Sequence, residues 1–306
     1  MPLFKIHDSE KLGRITEAPF RLEKDIQSLT EKNLTPIFGL EFVRSEFSIH
    51  NFRIDTLAFD KDAGTFVIIE YKRNKNFSVI DQGYAYLSLM LNNKADFILE
   101  YNENIKQGAL KRNTVDWSQS RVIFISPSFT THQKEAINFK DLPIELWEVK
   151  RYTNNTVNYS HIRSSGAQES IKTISRQDEA MEKVADEIKV YTEEEHLEKT
   201  TEATKELYEN VKAAILNLDE LEVKPKKKYI AFVSGSNVVD IHAQKNSLKI
   251  WINLQKGELE DPKEVARDVS SIGHWGNGDY EIVMRDEENL EYILSLIKQS
   301  LRKNKK

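Results

Sequence analysis

The sequence predicts an α/β protein in two parts. The N-terminal half should hold a mixed central sheet in the order α-β-β-β-α-β, and the C-terminal end a small α+β domain. Three observations carry this. Residues 52–59 and 65–72 are short runs rich in β-branched and aromatic residues, joined by the polar Asp60-Lys61-Asp62-Ala63-Gly64, which is the pattern of a β-hairpin. Residues 78–90 follow with the apolar spacing of a helix, and Ser78 stands where it can cap the start. After a polar, acidic stretch a second set of strand and helix patterns begins, so the 306 residues hold about two domains.

The elements follow in order. Residues 1–19 show little pattern and end at Ala18-Pro19. Arg21 to Asn33 reads as a helix, with Leu22, Ile26 and Leu29 on one stripe and Glu23 off it. Leu40 to Ile49 alternates as a strand does, and the hairpin and the Ser78 helix come next. Ala95-Asp96-Phe97-Ile98-Leu99 is expected to be a strand, as is Arg121 to Ile125. Thr130 to Phe139 reads as a helix, and residues 144–149 and 156–162 read as strands that extend the sheet. The first domain is expected to span 1–163, an acidic and partly helical linker 164–200, and the second domain 201–306.

In the second domain, residues 204–218 place Leu207, Val211, Ala214, Ile215 and Leu218 on one helical face. A basic turn spans 224–228, and strands are expected at 229–233, 238–242 and 248–254. Asp261-Pro262 has the form of a helix start running to Val269. Residues 271–279 form a glycine-rich turn into a strand at 280–284, and a helix at 288–301 closes the chain. The turn lacks the spacing of a dinucleotide loop, so ligand contact by His274 or Trp275 is the alternative to a plain turn.

Composition narrows the classes. The chain has no cysteine, which excludes disulfides, Cys-type zinc sites and thiol nucleophiles. No apolar run approaches about 18 residues, so no membrane span is expected. The start lacks a signal-peptide core, and a cytoplasmic location is expected. Residues 1–165 carry 22 lysines and arginines against 21 acids, 166–223 carry 7 against 16, and 224–306 carry 15 against 12. The acidity is therefore confined to the middle, and neither outer part repels a polyanion. No H-E-x-x-H, G-x-S-x-G or P-loop lysine motif occurs.

The hairpin holds the candidate chemistry. Strand alternation puts Ile68, Glu70 and Lys72 on one face of the second arm, and Val67, Ile69 and Tyr71 on the other. Glu70 closes a run of four apolar residues, the mark of a buried strand, where an unpaired carboxylate is costly. Two readings answer that cost. Glu70 forms a strand-end salt bridge with Lys72 or Arg73, or an ion lies between Asp55 and Glu70. Hard divalent cations take carboxylate oxygens and water, and Mg²⁺ is commonly held by one or two carboxylates.

Asp55, then Glu70-Tyr71-Lys72 after fourteen residues, then a helix carrying Gln82 and Tyr86 one turn apart, resembles the core of the PD-(D/E)XK nuclease superfamily. The likeness is greatest to its NucS-like and RecB-like branches. Ile54 precedes the aspartate where the superfamily often has proline. The resemblance implies a restriction-endonuclease-like fold and a metal-dependent nuclease acting on DNA. Asp55, Glu70 and the Tyr71 carbonyl would hold Mg²⁺ or Mn²⁺. Lys72 would orient or deprotonate the attacking water, Gln82 would position Lys72 or a phosphate, and Glu23 would join the metal site. Arg73, Lys75 and Tyr86 would contact the nucleic acid. The alternative is an inactive nucleic-acid-binding or scaffold protein that keeps the fold. A homodimer is left open. The last hundred residues resemble the DUF5655 domain, through Trp251-Ile252-Asn253-Leu254, Asp268-Val269-Ser270 and Gly273-His274-Trp275-Gly276-Asn277-Gly278-Asp279. That domain would select the substrate or a partner.

Overall fold

The computed structural model describes residues 3–7, 10–73, 77–105, 108–139, 141–163, 169–171 and 179–304. Contacts divide the chain into two units, 1–189 and 190–306. Among the described residues no helix is long and apolar enough to cross a membrane.

The first unit opens with a two-stranded antiparallel ribbon, β1 (Leu3–Ile6) and β2 (Leu12–Ile15), which the sequence pattern did not announce. Helices α1 (Glu23–Glu31) and α2 (Leu34–Phe38) follow, then strands β3 (Glu41–Ile49), β4 (Phe52–Asp60) and β5 (Thr65–Tyr71). Next come α3 (Val79–Asn92), α4 (Lys94–Asn104), β6 (Arg121–Ser126), α5 (Thr131–Ala136), β7 (Ile144–Arg151), β8 (Val157–Ile162) and α6 (Glu179–Glu187). Strands β3 to β8 form one sheet in chain order. It is mixed: β3, β4 and β5 run antiparallel, β6 and β7 join β5 in parallel, and β8 returns antiparallel.

Each face of this sheet has its own core. Ile54, Leu57, Ile68, Val122 and Phe124 pack under α3 and α4 with Leu87, Met90 and Phe97. Ala58, Val67, Ile69, Tyr71 and Ile123 face the other way, with Ile26, Leu34 and Phe38 of the first helices. All seven residues of β5 are buried, as expected of a central strand covered on both sides.

Two sequence expectations change here. Residues 95–99 are not a strand but lie in α4. Phe97, Ile98 and Tyr101 are buried while Leu99 is 57% exposed. That is a helical interval, whereas a strand would bury Phe97 and Leu99 together. The strand that completes the α-β-β-β-α-β order is β6. The second change lies in the stretch read as a linker. Within it, α6 packs on α3, and its Val184, with Ile188 just past its end, lies in the core that α3 and α4 share. The compact unit therefore runs past Arg163 to Lys189. Residues 164–168 and 172–178 lie outside the described ones.

The second unit contains α7 (Glu193–Leu197), α8 (Glu202–Leu216), β9 (Glu222–Pro225), β10 (Ile230–Ser234), β11 (Ser236–Gln244), β12 (Ser247–Ile252), β13 (Arg267–Asp268), β14 (Tyr280–Met284) and α9 (Leu290–Asn304). Its antiparallel sheet has the order β13-β14-β12-β11-β10-β9. Ile241, Ile250 and Ile282 share a core with Val211 and Ile215 of α8 and Leu296 and Ile297 of α9. The helix expected from Asp261 to Val269 is absent. Asp261 instead accepts from the Ala266 amide at 2.7 Å and from the Tyr292 hydroxyl at 2.6 Å. Spanning five residues in this way closes a turn that delivers the chain to the short edge strand β13. The glycine-rich turn consequently links two strands rather than a helix and a strand.

Candidate active site

Strands β4 and β5 pair regularly from Asp60↔Thr65 to Thr56↔Ile69. Beyond that point the carboxylates take over from the ladder. The Asp55 amide donates to Glu70 Oε1 at 3.1 Å, and the Tyr71 amide donates to Asp55 Oδ2 at 3.0 Å. Backbone donors near a buried strand end need partners, and here each strand's acid supplies one to the other. The Lys72 amide donates to the Ile125 carbonyl of β6 at 2.9 Å, which fixes the exit of β5.

Glu70 is 1% exposed. Its Oε2 accepts from Lys72 Nζ at 3.2 Å, and the Lys72 ammonium lies 5.9 Å from the centre of the Phe77 ring. The pair required by a purely structural reading is therefore present. It leaves the second acid unneutralised. Burial first, and the Asp55 charge second, push the Glu70 carboxyl up to about 7, against the opposing pull of Lys72. Burial also raises Asp55, opposed by the Tyr71 amide and by Lys72. Two partly or fully buried acids thus share one lysine, and both carboxyls are raised.

Helix α3 starts on the Ser78 hydroxyl, which accepts from the Asp81 amide at 3.3 Å. One turn in, Gln82 Nε2 donates to the Tyr86 hydroxyl at 3.3 Å, and the Glu70 charge acts on that hydroxyl. Gln82 is therefore joined to Tyr86 rather than to Lys72. Tyr86 is 6% exposed and meets Phe52 edge-on, with ring centres 6.4 Å apart. It is enclosed in the site wall, where its direct neighbour is Glu70. Burial and the Glu70 charge raise its pKa.

Helix α1 supports the site from the other side. Glu23 Oε1 accepts from the Arg73 amide at 2.7 Å, and its charge adds to the rise at Asp55. The Arg73 guanidinium donates to the Arg21 carbonyl, so its hydrogen bond within the chain is to α1's approach. Lys75 lies outside the described residues. The sequence reading missed Gln27, one turn after Glu23. Gln27 is 4% exposed, and its Nε2 donates to the Asp55 carbonyl at 2.8 Å and to Glu31 Oε1 at 2.9 Å. Glu31 in turn accepts from Thr56 Oγ1 at 2.7 Å, and the Tyr71 hydroxyl lies 3.2 Å from the same Thr56 oxygen. The usable signal was a polar residue next to Ile26 on the buried side of an otherwise amphipathic helix.

Among the described residues, no group of three or more His, Asp or Glu is gathered closely enough to hold a metal ion alone. The donor set here is a pair, Asp55 and Glu70. That suits Mg²⁺, which keeps several waters and takes one or two carboxylates. The raised carboxyl at Glu70 fits the same conclusion, because a cation beside it would offset the cost of ionising a buried acid.

The fold and site define a two-unit α/β protein whose first unit carries a carboxylate pair and a lysine at a hairpin end. The chain belongs to the same family as a Haemophilus influenzae protein described as an uncharacterized protein. The two are 54% identical over 301 residues, covering 97% of this chain and 99% of that one. Residues 193–303 match the domain of unknown function DUF5655, so the second unit is a DUF5655 domain. Among solved structures, a repair endonuclease from Pyrococcus abyssi aligns with 44% of this chain and 49% of its own, at 21% identity and a TM-score of 0.25. An EndoMS–dsDNA complex aligns with 45% and 50%, at 19% identity and a TM-score of 0.29. Pyrococcus furiosus SfsA in complex with Ca²⁺ aligns with 50% and 76%, at 13% identity and a TM-score of 0.24. The chain spans about half the length of the two endonucleases.

Proposed function

We propose that the first unit hydrolyses phosphodiester bonds in DNA with Mg²⁺ or Mn²⁺, and that the DUF5655 domain selects the substrate or a partner. One observation carries this reading. Glu70 is almost fully buried beside Asp55, with Lys72 at 3.2 Å and a carboxyl raised to about 7. A strand end with no chemical task would not concentrate two desolvated acids behind one lysine. The motif resemblance points the same way.

Asp55 and Glu70, with the carbonyl of Tyr71, the residue after Glu70, would hold the ion. When bound, such an ion lowers the pKa of water and offsets charge on the scissile phosphate. Lys72 brings positive charge to the side where the pentavalent phosphorus gains negative charge, and its Nζ can hold the attacking water. Tyr86 and Gln82, hydrogen-bonded to each other, stand beside Glu70 on the helix side. The Asp55 and Tyr71 amides hold the two acids before substrate arrives, which removes reorganisation from the reaction step. Arg73, at the strand exit, and Lys75, two residues further along the sequence, are assigned to the phosphates that flank the cut.

The test is cleavage of single-stranded, duplex and branched DNA in Mg²⁺ and in Mn²⁺, comparing the wild type with Asp55→Ala and Glu70→Ala. Cleavage by the wild type and none by either variant supports the reading. Binding of DNA with no cleavage in any condition would instead identify an inactive nucleic-acid-binding protein on this fold.

A further inference from the structure

The second unit has a pocket of about 210 Å³ on the sheet face opposite its helices, lined in part by His242, Lys249, Trp251, Arg267, Trp275 and Glu281. The register explains the gathering. Trp251 pairs with Glu281, and Glu281 with Arg267, while His242 pairs with Lys249. These residues come from β11, β12, β14 and β13, and the glycine-rich turn brings Trp275 over them.

The turn is built to keep Trp275 outside. A side chain at Gly278 would place its Cβ 1.8 Å from the Ile252 carbonyl, and one at Gly276 would meet the Trp251 ring at 2.5 Å. Between these glycines, the Asn277 amide donates to Asp240 at 2.8 Å and its side chain donates to the Tyr229 hydroxyl at 2.8 Å. Three consecutive positions are thus locked onto the sheet. The indole just before them stands 49% exposed, with its ring 4.6 Å from His242 and perpendicular to it. The exposed indole and the pocket beneath it together offer an aromatic face bordered by charged groups.

The charges around it favour an anion. Lys249 lies 3.3 Å from Glu281, and Arg267 lies 3.2 Å from the same carboxylate. Within the pocket lining one acid therefore serves two cations, while the buried Asp240 beyond Trp251 is engaged by the Asn277 amide. His242 Nδ1 is bonded to the Lys228 carbonyl at 3.0 Å, which brings the basic turn Lys226-Lys227-Lys228 to the pocket's flank. The volume is below that of a site for a whole drug-sized ligand. One ring fits, and the rest of the ligand must lie along the surface.

We propose that this pocket binds a nucleotide, with an unstacked base on the Trp275 indole and its phosphate beside Arg267 and Lys249. Sequence-tolerant stacking on an aromatic ring within a positive groove is how single-stranded nucleic acids are held. Gln244, at the pocket edge, offers a donor and an acceptor to the base. The source is a free nucleotide or a single strand, and the basic turn suits the longer ligand. The site is independent of Asp55 and Glu70.

The test uses the full chain in EDTA, where no cleavage intervenes. Binding of a labelled twelve-nucleotide oligo-dT is followed by anisotropy, and binding of dTMP by titration calorimetry. Wild type, Trp275→Phe, Trp275→Ala and Arg267→Glu are compared, with thermal melts confirming each fold. Trp275→Ala should weaken binding roughly tenfold or more, Trp275→Phe should retain most of it, and Arg267→Glu should also weaken it. Loss seen with the oligomer alone assigns the site to a strand, and loss seen with dTMP as well assigns it to a single nucleotide. Wild-type affinity in Trp275→Ala and Arg267→Glu, or binding of neither probe by the wild type, overturns the proposal.

Discussion

Asp55 and Glu70 hold each other's strands by their backbones: Glu70 Oε1 takes the Asp55 amide at 3.1 Å, and Asp55 Oδ2 takes the Tyr71 amide at 3.0 Å. The regular ladder stops at Thr56↔Ile69, so this clasp is what continues the pairing. It places two acids side by side at a depth where neither is well hydrated. The clasp contributes to the fold while the burial of charge opposes it, and the balance depends on pH.

Metal-free protein should lose stability as pH rises through the range from about 4.5 to 7. The Glu70 pKa is raised from 4.5 to about 7 in the folded state, so the folded protein binds more protons than the unfolded chain inside that window. Stability is then highest below the window and lowest above it. Asp55 is shifted in the same direction and adds to the effect. Thermal melts in EDTA at pH 5 and pH 8 should show a larger fall for the wild type than for Glu70→Gln. Parallel falls in the two proteins would remove Glu70 as the source.

Metal binding should release protons near neutral pH. A carboxyl raised to about 7 carries a proton in part of the population, and a cation requires the ionised form. Calorimetric titration with Mn²⁺ at pH 6.5, in buffers of different ionisation enthalpy, should show this release and tighter binding at pH 7.5. Heats that are independent of the buffer would contradict the assignment of Glu70 as a ligand.

Helix α6 should belong to the first unit. Val184 and Ile188 are 1% and 6% exposed in its core, and replacing such a residue with alanine typically costs about 2–5 kcal/mol for isoleucine. A fragment of residues 1–189 should melt cooperatively, one of 1–163 should melt far lower, and Ile188→Ala should fall between. Equal melting of the two fragments would return α6 to a linker.

Gly278→Ala should destabilise the DUF5655 domain. The added Cβ would stand 1.8 Å from a backbone carbonyl, a contact that only a backbone shift relieves, and overpacking of this kind costs about 1–3 kcal/mol. Chemical denaturation of the full chain should show the loss in one transition. A midpoint unchanged from the wild type would mean that the turn moves freely.

Much of the site was legible in the sequence because the hairpin is local. Asp55 and Glu70 lie on adjacent strands joined by a short turn, so alternation alone fixed which residues shared a face. Gln82 and Tyr86 were legible for the same reason, being one helical turn apart. What alternation could not give was depth. Tyr86 reads as a surface contact until Phe52 and Glu70 are seen to enclose it, and Gln27 reads as a solvated amide until it is seen beneath Asp55. The errors in the fold have a related origin. Residues 95–99 are a short apolar run whose helical period shows only when Tyr101 is counted. The acidic stretch hides its packing because the inward residues of α6, Met181, Val184, Ala185 and the following Ile188, stand among many charges. The Asp261 turn imitates a helix start because an aspartate before a proline caps either structure.

The central claim, that this carboxylate–lysine cluster performs phosphodiester hydrolysis, is tested most directly by separating binding from chemistry at Lys72. Affinity for DNA would be measured in Ca²⁺, and single-turnover cleavage in Mg²⁺, for the wild type and Lys72→Ala. The account predicts nearly equal affinity and a cleavage rate lower by roughly 10²–10³ in the variant, as for loss of one preorganised group facing transition-state charge. Equal cleavage rates would take Lys72 out of the reaction and contradict the account.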